Sequence, residues 1–307
     1  MNNLIVSVSP HLRSKTTTQI VMLDVLIALC PTLIASCIIF GARVLLVVAV
    51  TVAASILAEW GMEKLLKRPN TLADLSAVVT GLILAFNLPA SVPLWQAAIG
   101  AIFAIAVVKQ LFGGLGHNFA NPAITGRIMM FLAFSRTMAA TAAPVLADAV
   151  SGATPLAIMS GLEGTMPGYL QMFLGLHSGA LGETCSLTLL LGGIYLLCRR
   201  VITWHAPVAY IATVALFSLA VGREPLYEVL SGGLLIGAIF MATDYVTTPA
   251  TWSGRLIFGF GCGIITMLIR VWGSYPEGVS FSILLMNILT PFIEKWTRSK
   301  VLGGVKA

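Results

Sequence analysis

Acidic side chains stand inside or at the edge of long apolar runs of this sequence. They are Asp24, Glu59, Asp74, Glu183, Glu228 and Asp244. An ionised carboxylate at membrane depth costs at least about 2.5 kcal/mol, so each position needs a reason. Asp74 and Glu183 begin two short apolar segments. A carboxylate at such a position either takes part in the passage of cations or fixes the end of a broken helix. We assign both residues to an ion pathway. Asp24, Glu59 and Glu228 lie near the ends of runs and are expected to reach the membrane interface.

The run Gly113–Pro122 is too polar to face lipid. Backbone of this kind at membrane depth must line a cavity or be buried in protein. Asn118 and Asn121 lie in the run, and Arg127 follows it closely. The sequence therefore predicts a ligand site formed in part by these three side chains.

The run Ser151-Gly152-Ala153-Thr154 consists of small residues with a hydroxyl at each end. Taken alone, this pattern indicates no more than a surface loop. Other patterns argue against a metal site, because the histidines form no i, i+4 pair and the five cysteines form no C-x-x-C. The glycine-rich stretch Gly259–Gly263 lies within an apolar run and is expected to pack helices closely. We assign no catalytic residue and no metal to this chain.

The composition is that of an integral membrane protein. Hydrophobic residues make up 58% of the 307 positions, charged residues 10%, and the mean hydropathy is +0.94. Soluble domains have about 25% charged residues, so a soluble enzyme and a disordered protein are excluded. The net charge of +6 comes from basic residues at the ends of apolar runs, which is typical of membrane anchoring. The pattern therefore indicates a lipid bilayer as partner and excludes nucleic acid.

The apolar runs predict an all-α polytopic membrane protein with about ten spans in one integral membrane domain, residues 1–307. A spanning helix needs about 20 apolar residues. The predicted spans are 20–40, 43–62, 72–88, 93–111, 122–134, 184–198, 204–221, 226–242, 256–272 and 279–296. The segments 72–88, 122–134 and 184–198 are short, which is typical of broken helices that line a site. The stretch Gly168–Cys185 is expected to be a re-entrant or surface segment.

Basic residues near the span ends predict the orientation of the chain. With the N-terminus in the cytoplasm, 14 of the 18 Lys and Arg residues lie inside, and only Arg43, Arg136, Arg223 and Arg270 lie outside. Cytoplasmic loops carry such an excess. The segment 1–19 and the tail 297–307 are then cytoplasmic, the connection 135–167 faces outward, and the protein is a multi-pass protein of the cell (inner) membrane.

Short motifs along nearly the whole chain match one pattern. Ser9-Pro10-His11 precedes the first span, Phe112–Asn118 runs into Asn121-Pro122-Ala123, and Asp148 precedes the S-G-A-T run that ends at Thr154. Further matches are Leu75-Ser76, Thr80-Gly81, Asn87-Leu88-Pro89, Gly182-Glu183-Thr184 and Asp244–Pro249. Together they resemble the RnfD/NqrB family, whose members are membrane components of the Rnf electron-transport complex and of the sodium-translocating NADH:quinone reductase.

The resemblance implies a covalent FMN that is carried as a phosphoester on the threonine of S-G-A-T, here Thr154. Ser151, Gly152 and Ala153 complete the acceptor motif, and a separate flavin transferase installs FMN from FAD. The family often has glycine directly after the upstream aspartate, where this chain has Ala149. A second, non-covalent flavin such as riboflavin, or a quinone-like ligand, is expected at the site predicted from Asn118, Asn121 and Arg127.

The implied function is that of the RnfD membrane component of an ion-translocating ferredoxin:NAD⁺ oxidoreductase (Rnf) complex. This component relays electrons, and the complex couples the relay to Na⁺ or H⁺ transport, so the chain is part of a translocase and not a catalyst alone. Nicotinamide and iron–sulfur sites are expected on the other Rnf subunits. Two alternatives stay open, an NqrB-like component of the NADH:quinone reductase and a secondary transporter or channel without a redox role.

Overall fold

The computed structural model describes residues 16–140, 144, 153–273 and 277–298. Within these ranges the chain is helical and contains no β-strand, which confirms the all-α fold class. A helix satisfies its backbone groups within its own segment, whereas an open strand edge leaves them unpaired in lipid.

Fourteen helices, α1 to α14, are present in the described ranges. They are α1 Thr18–Phe40, α2 Arg43–Leu65, α3 Ser76–Phe86, α4 Leu94–Phe103, α5 Pro122–Ala133, α6 Ser135–Ala139, α7 Pro155–Met159, α8 Tyr169–Leu174, α9 Ser186–Cys198, α10 His205–Val221, α11 Pro225–Leu230, α12 Leu234–Ile236, α13 Trp252–Trp272 and α14 Val279–Thr297. A 3₁₀ turn, Leu72–Asp74, precedes α3, and π-helical segments Ala104–Gln110 and Gly237–Met241 continue α4 and α12. Three of the described helices, α1, α2 and α13, are long and apolar enough to cross a bilayer.

Side-chain caps explain where two of the long helices begin. The Thr17 hydroxyl accepts the N–H of Ile20 at 3.3 Å before α1, and the Thr251 hydroxyl accepts the N–H of Gly254 at 3.1 Å before α13. Threonine at this position satisfies a backbone donor that has no partner within the helix. The first helix ends at Gly41, whose φ of 81° lies in the region that favours glycine.

Two of the short predicted spans are helical over only part of their length. α3 has 11 residues and α9 has 13, which at 1.5 Å per residue is too short for a hydrocarbon layer of about 30 Å. The chain continues from α3 into Asn87–Ala90 and reaches α9 through His177–Cys185, and both stretches are buried and non-helical. These segments are therefore broken helices, as predicted. The stretch 177–185 has the burial that a re-entrant segment requires.

Backbone hydrogen bonds join the two broken segments to each other. The N–H of Leu181 donates to the carbonyl of Leu88 at 3.0 Å, and the N–H of Gly182 donates to the carbonyl of Phe86 at 2.8 Å. The hydroxyl of Ser36 in α1 donates to the carbonyl of Leu181. These bonds satisfy groups that the helices leave unpaired.

The predicted span 226–242 is not one helix, and this expectation is corrected. α11 ends at Leu230, the chain turns through Ser231–Gly233, and α12 follows. The Ser231 carbonyl accepts from Arg270 Nη2 at 3.1 Å, so a buried cation satisfies a backbone group at the break. Hydropathy alone gives no sign of this interruption.

Small residues allow helices of the bundle to approach each other closely. A Cβ added to Gly259 of α13 would lie 2.5 Å from the carbonyl oxygen of Ala206, and one added to Gly192 of α9 would lie 2.4 Å from the carbonyl oxygen of Ala28. Real Cβ contacts do not reach such distances. The prediction that Gly259–Gly263 packs helices is confirmed.

The bundle has two ends. At the N-terminal end lie the first two turns of α1, the first turn of α13 and the end of α9, because Asp24 pairs with Arg199 at 3.2 Å and Arg255 bonds Thr203 at 2.8 Å. At the distal end lie the last turn of α13 and the first turn of α2, whose Arg43 bonds the carbonyl of Val92 at 3.3 Å. α7 packs at the distal end, next to the last turn of α13.

Candidate functional site

A pocket of about 820 Å³, measured with its open mouth, lies at the N-terminal end of the bundle. Its walls come from α1, α3, α9 and the loops that follow the two π-helical segments. The polar lining residues are Ser76, Thr80, Lys109, Asn118, Asn121, Thr243, Asp244 and Tyr245. Most of the other lining side chains are apolar, including Met22, Ile83 and Phe240. A mostly apolar pocket with a few polar groups is the usual form of a cofactor site.

Asn118 and Asn121 both line this pocket and are 7% and 6% exposed. The side-chain oxygen of Asn121 accepts the N–H of Ala123 at 3.0 Å and caps α5. The Asn118 amide donates to the carbonyl of Ala120 at 3.0 Å. The two asparagines therefore fix the loop in place, and the polar run lines a cavity as predicted.

Asp244 lies in a second loop of the same pocket, between α12 and α13. The Thr247 hydroxyl donates to its Oδ2 at 3.1 Å, and the N–H of Val246 reaches its Oδ1 at 3.5 Å. Loss of hydration raises the pKa of the Asp244 carboxyl above its usual range, while these hydrogen bonds oppose the shift. Asp244 thus gives the pocket a hydrogen-bonded carboxyl group.

Lys109 gives the pocket a positive group that the sequence analysis missed. The count of basic residues near span ends treats Lys109 as a cation at the interface, but its side chain is 2% exposed. Its Nζ donates to Glu59 Oε1 at 2.6 Å and to Ser76 Oγ at 2.5 Å. The signal in the sequence is an acid and a base that both lie inside apolar runs, and a buried pair is one way to place them.

Glu59 is fully buried, so the expectation that it reaches the interface is wrong. Besides Lys109, the Gln110 amide donates to the same Glu59 oxygen at 2.9 Å. Two consecutive residues reach one carboxylate from the π-helical segment, in which the N–H of Leu111 bonds the carbonyl of Ala106. Such segments are frequent at functional sites.

Asp74 joins this network through Ser76. Its Oδ1 accepts the Ser76 N–H at 2.8 Å and also the Ser76 hydroxyl. Ser76 in turn accepts from Lys109, so Asp74, Ser76, Lys109 and Glu59 form one hydrogen-bonded chain beside the pocket. Asp74 thereby fixes the first turn of α3.

Arg127 lies outside this pocket, in the middle of the molecule, where it is 5% exposed. Its Nη1 donates to Asn87 Oδ1 at 2.8 Å, its Nη2 bonds Glu277, and Glu183 Oε2 lies 3.7 Å away. Glu183 is also buried, and its Oε1 accepts the N–H of Ala180 at 2.8 Å. Arg127 therefore balances a buried carboxylate, and the structure does not bring it together with the two pocket asparagines.

Asp74 and Glu183 lie near opposite ends of α3. Asp74 precedes its first residue, whereas the amide next to Glu183, that of Gly182, bonds the carbonyl of the last residue. Eleven residues rise about 16 Å along the helix axis. The two predicted ion-pathway residues are therefore at different depths and do not share one site.

The remaining acids are held in ion pairs. Glu228 is fully buried, so the expectation that it reaches the interface is wrong; it accepts from Arg270 at 2.9 Å and Arg223 at 3.1 Å. Asp24 is 6% exposed, and its partner Arg199 is half exposed, so this pair approaches the surface. A buried carboxylate stays charged only with such partners.

Thr154 lies at the distal end, directly before α7. Its hydroxyl oxygen accepts the N–H of Ala157 at 3.2 Å, and the residue is half-buried. Leu156 anchors this turn, because a Cβ on Gly232 would lie 2.5 Å from Leu156 Cδ1 and 3.4 Å from Arg270 Nη2. Ala153 is also half-buried, while Ser151, Gly152 and the upstream Asp148 lie outside the described residues. A partly open hydroxyl on a fixed helix start suits attachment of a phosphoester.

Known proteins match the chain over nearly its full length. The model of the NQR2, RnfD, RnfE family matches residues 5–303. The D subunit of the Na(+)-translocating ferredoxin:NAD(+) oxidoreductase complex of Acetobacterium woodii is 48% identical, over 99% of this chain and 96% of the relative. The D subunit of the proton-translocating ferredoxin:NAD(+) oxidoreductase complex of Clostridium ljungdahlii is 40% identical, over 98% of this chain and 97% of the relative. The D subunit of an ion-translocating oxidoreductase complex of Stutzerimonas stutzeri is 38% identical, over 92% and 91%.

Proposed function

The chain belongs to the NQR2, RnfD, RnfE family, and from this membership we propose that it is the RnfD component of an ion-translocating ferredoxin:NAD⁺ oxidoreductase complex. The observation that carries the proposal is the 48% identity, over 99% of the chain, to a relative of that description. The relatives named above are all D subunits of an oxidoreductase complex, which favours this function over a component of a quinone reductase or a secondary transporter. The chain works with the other Rnf subunits as part of a translocase that moves electrons and Na⁺ or H⁺.

We propose that Thr154 carries FMN as a phosphoester, installed by a flavin transferase. The support is the S-G-A-T motif together with a half-buried hydroxyl at the start of α7. The ester oxygen keeps the lone pair that accepts the Ala157 N–H, so modification is compatible with the cap. Leu156 and its contact with Gly232 hold the attachment point against the bundle. Bound FMN supplies the electron chemistry, and the chain supplies its position and electrostatics.

We propose that the pocket at the N-terminal end holds a second, non-covalent flavin such as riboflavin. Its apolar walls suit a planar ring system, and its few polar groups can orient such a ring. Asn118, Asn121, Lys109 and Asp244 are all among its lining residues. The pocket and Thr154 are at opposite ends of the bundle, so the chain has two separate positions for an electron carrier.

We propose that Asp74 and Glu183 take part in ion transfer. Asp74 belongs to the network beside the pocket, and Glu183 lies deeper, where its Oε2 accepts no hydrogen bond from the described residues. Helix α3 and the non-helical backbone that follows it lie between the two carboxyl groups. Carboxylates at the ends of broken helices are suited to transient binding of Na⁺ or H⁺.

The proposed orientation in the cell membrane keeps both termini in the cytoplasm. The number of basic residues that supports this orientation is smaller than the sequence alone indicates. Lys109, Arg127 and Arg270 are buried in the bundle and do not lie at the lipid interface. Without them, 12 basic residues remain on the proposed inside and 3 on the outside. The excess still favours the cytoplasmic placement of the N-terminal end.

Assembly with partner proteins tests the function. The tagged chain, purified from membranes of its own cells in mild detergent, should bring further subunits with iron–sulfur clusters and ferredoxin-dependent NAD⁺ reduction. A chain that purifies alone, from membranes without ferredoxin-linked activity, contradicts the proposal. The matched control is the same tag on an unrelated multi-pass protein of the same membrane.

A further inference from the structure

Lys109 is a fully buried lysine that lines the pocket at the N-terminal end of the bundle. We propose that its ammonium group binds the bound flavin ring and favours the reduced form, so that Lys109 sets the reduction potential of the non-covalent flavin. This inference rests on the proposed flavin in the pocket. It identifies Lys109 as the residue that changes the reduction potential of that flavin, and it identifies the side of the pocket where negative charge on the flavin is stabilised.

The contacts of Lys109 leave one donor for a ligand. A lysine ammonium group has three N–H donors. Among the described residues two of them are used, by Glu59 Oε1 and Ser76 Oγ. Since Lys109 and Ser76 both line the pocket, we infer that the third donor is available to a ligand there.

The orientation of Lys109 is fixed from two directions. Glu59 is itself held by the Gln110 amide at 2.9 Å, and the Ser76 hydroxyl donates to Asp74, which leaves its oxygen free to accept from Lys109. Both partners are therefore oriented without the ligand. A prearranged charge costs no reorganisation when the charge of the ligand changes.

A purely structural ion pair between Lys109 and Glu59 explains these contacts less completely than a role in ligand binding. Glu59 Oε1 already accepts from Gln110, and the Thr71 hydroxyl lies 3.4 Å from it, so this oxygen has a neutral donor besides Lys109. The cation is placed in the π-helical segment, where consecutive residues face the same carboxylate. A buried ion pair often gives a less stable protein than apolar residues of the same volume. Stability alone therefore does not explain why this pair lies beside the pocket.

The flavin ring gains negative charge when it accepts electrons, and a cation nearby stabilises that charge. An opposite charge within about 4–6 Å changes the equilibrium between two charge states by about tenfold or more. Asp244 also lines the pocket, where it bonds Val246 and Thr247 of its own loop. The ring is therefore expected to place its electron-rich carbonyl edge toward Lys109.

The test uses the purified complex and paired variants. Lys109→Met alone leaves Glu59 buried without its cation, so the informative variant is Lys109→Met with Glu59→Gln, which removes both charges together. Glu59→Gln alone keeps the ammonium group and removes only its carboxylate. Lys109→Arg conserves the charge, and Lys64→Met removes a charge from the exposed side of α2 as the control. The measurements are riboflavin released by acid and identified by chromatography, and the redox titration of the flavins, with the covalent FMN as internal reference.

The double variant should lower the affinity for reduced relative to oxidised riboflavin by about tenfold, which lowers its potential against the covalent FMN. Glu59→Gln alone should leave that potential unchanged or raise it, and Lys64→Met should leave it unchanged. Loss of riboflavin from the double variant also supports the inference if Lys109→Arg retains it. An unchanged potential in the double variant, or loss of riboflavin from Lys109→Arg as well, overturns it. Absence of riboflavin from the wild-type complex overturns both the pocket assignment and this inference, whereas the covalent FMN on Thr154 is tested separately by mass.

Discussion

The N–H of Gly182 donates to the carbonyl of Phe86 at 2.8 Å, and this bond connects the two broken segments in the middle of the bundle. A Cβ on Gly182 would lie 2.3 Å from Phe86 Cβ, so the two chains meet with no room for a side chain. The contact fixes how α3 and α9 stand beside each other. The buried Glu183, the next residue, takes its position from it.

Gly182→Ala should therefore destabilise the protein by about 1–3 kcal/mol, the range for overpacking in a tight core. The measurement is the midpoint of thermal unfolding in detergent. Gly61→Ala is the matched control, because a Cβ there meets nothing within 4 Å in the interior of α2. If the Gly182→Ala variant unfolds at the same temperature as the wild-type protein, the contact between Gly182 and Phe86 is not tight.

Arg127→Met should destabilise the bundle by about 3–5 kcal/mol, because it leaves Glu183 buried and without its cation. The double variant Arg127→Met with Glu183→Gln should recover part of the loss, since no unpaired charge is then buried. Thermal unfolding of both variants, with the exposed Arg136→Met as control, measures this. If the single and double variants lose the same amount of stability, Arg127 does not act by balancing the charge of Glu183.

Asp74→Asn and Glu183→Gln should impair coupled ion transport while leaving flavin content intact. An amide keeps most of the hydrogen bonding but not the charge that a cation requires. Transport is measured as ion uptake driven by electron transfer in proteoliposomes, and flavin content is measured by absorbance. The control is Glu163→Gln, an exposed carboxylate in the connection between α7 and α8. Normal uptake in both variants reduces Asp74 and Glu183 to structural roles.

Cysteine labelling tests the orientation. In a background without the five native cysteines, Ala140→Cys and Arg298→Cys should react from opposite sides of the membrane, with Arg298 on the cytoplasmic side. Both positions are exposed, so reagent access is not limited by the fold. Reaction of both from the same side contradicts the proposed topology.

Much of the fold follows from the sequence because long apolar runs and caps are local signals. The apolar run after Thr17 gives α1, and the polar run around Asn118 and Asn121 gives a buried, pocket-lining loop, since polar backbone has no other place at membrane depth. The break between α11 and α12 does not follow, because it depends on a distant cation, Arg270, that binds a freed carbonyl.

The charged part of the site is likewise set by contacts between distant residues. Glu59 and Lys109 are 50 positions apart and meet only because the π-helical segment packs against α2. Read singly, each side chain is best placed at the lipid interface, where it is hydrated. Read as a pair, they are best placed inside, and only the packing of the helices decides between the two.

The mass of the intact protein tests the central claim most directly. Wild-type protein from cells that contain the flavin transferase should carry one FMN increment and a fluorescent band on a denaturing gel. Thr154→Ala should lose both while still inserting in the membrane, and Thr165→Ala, an exposed threonine in the next connection, should keep both. A wild-type mass without the increment, or an increment retained by Thr154→Ala, contradicts the covalent attachment of FMN at this threonine.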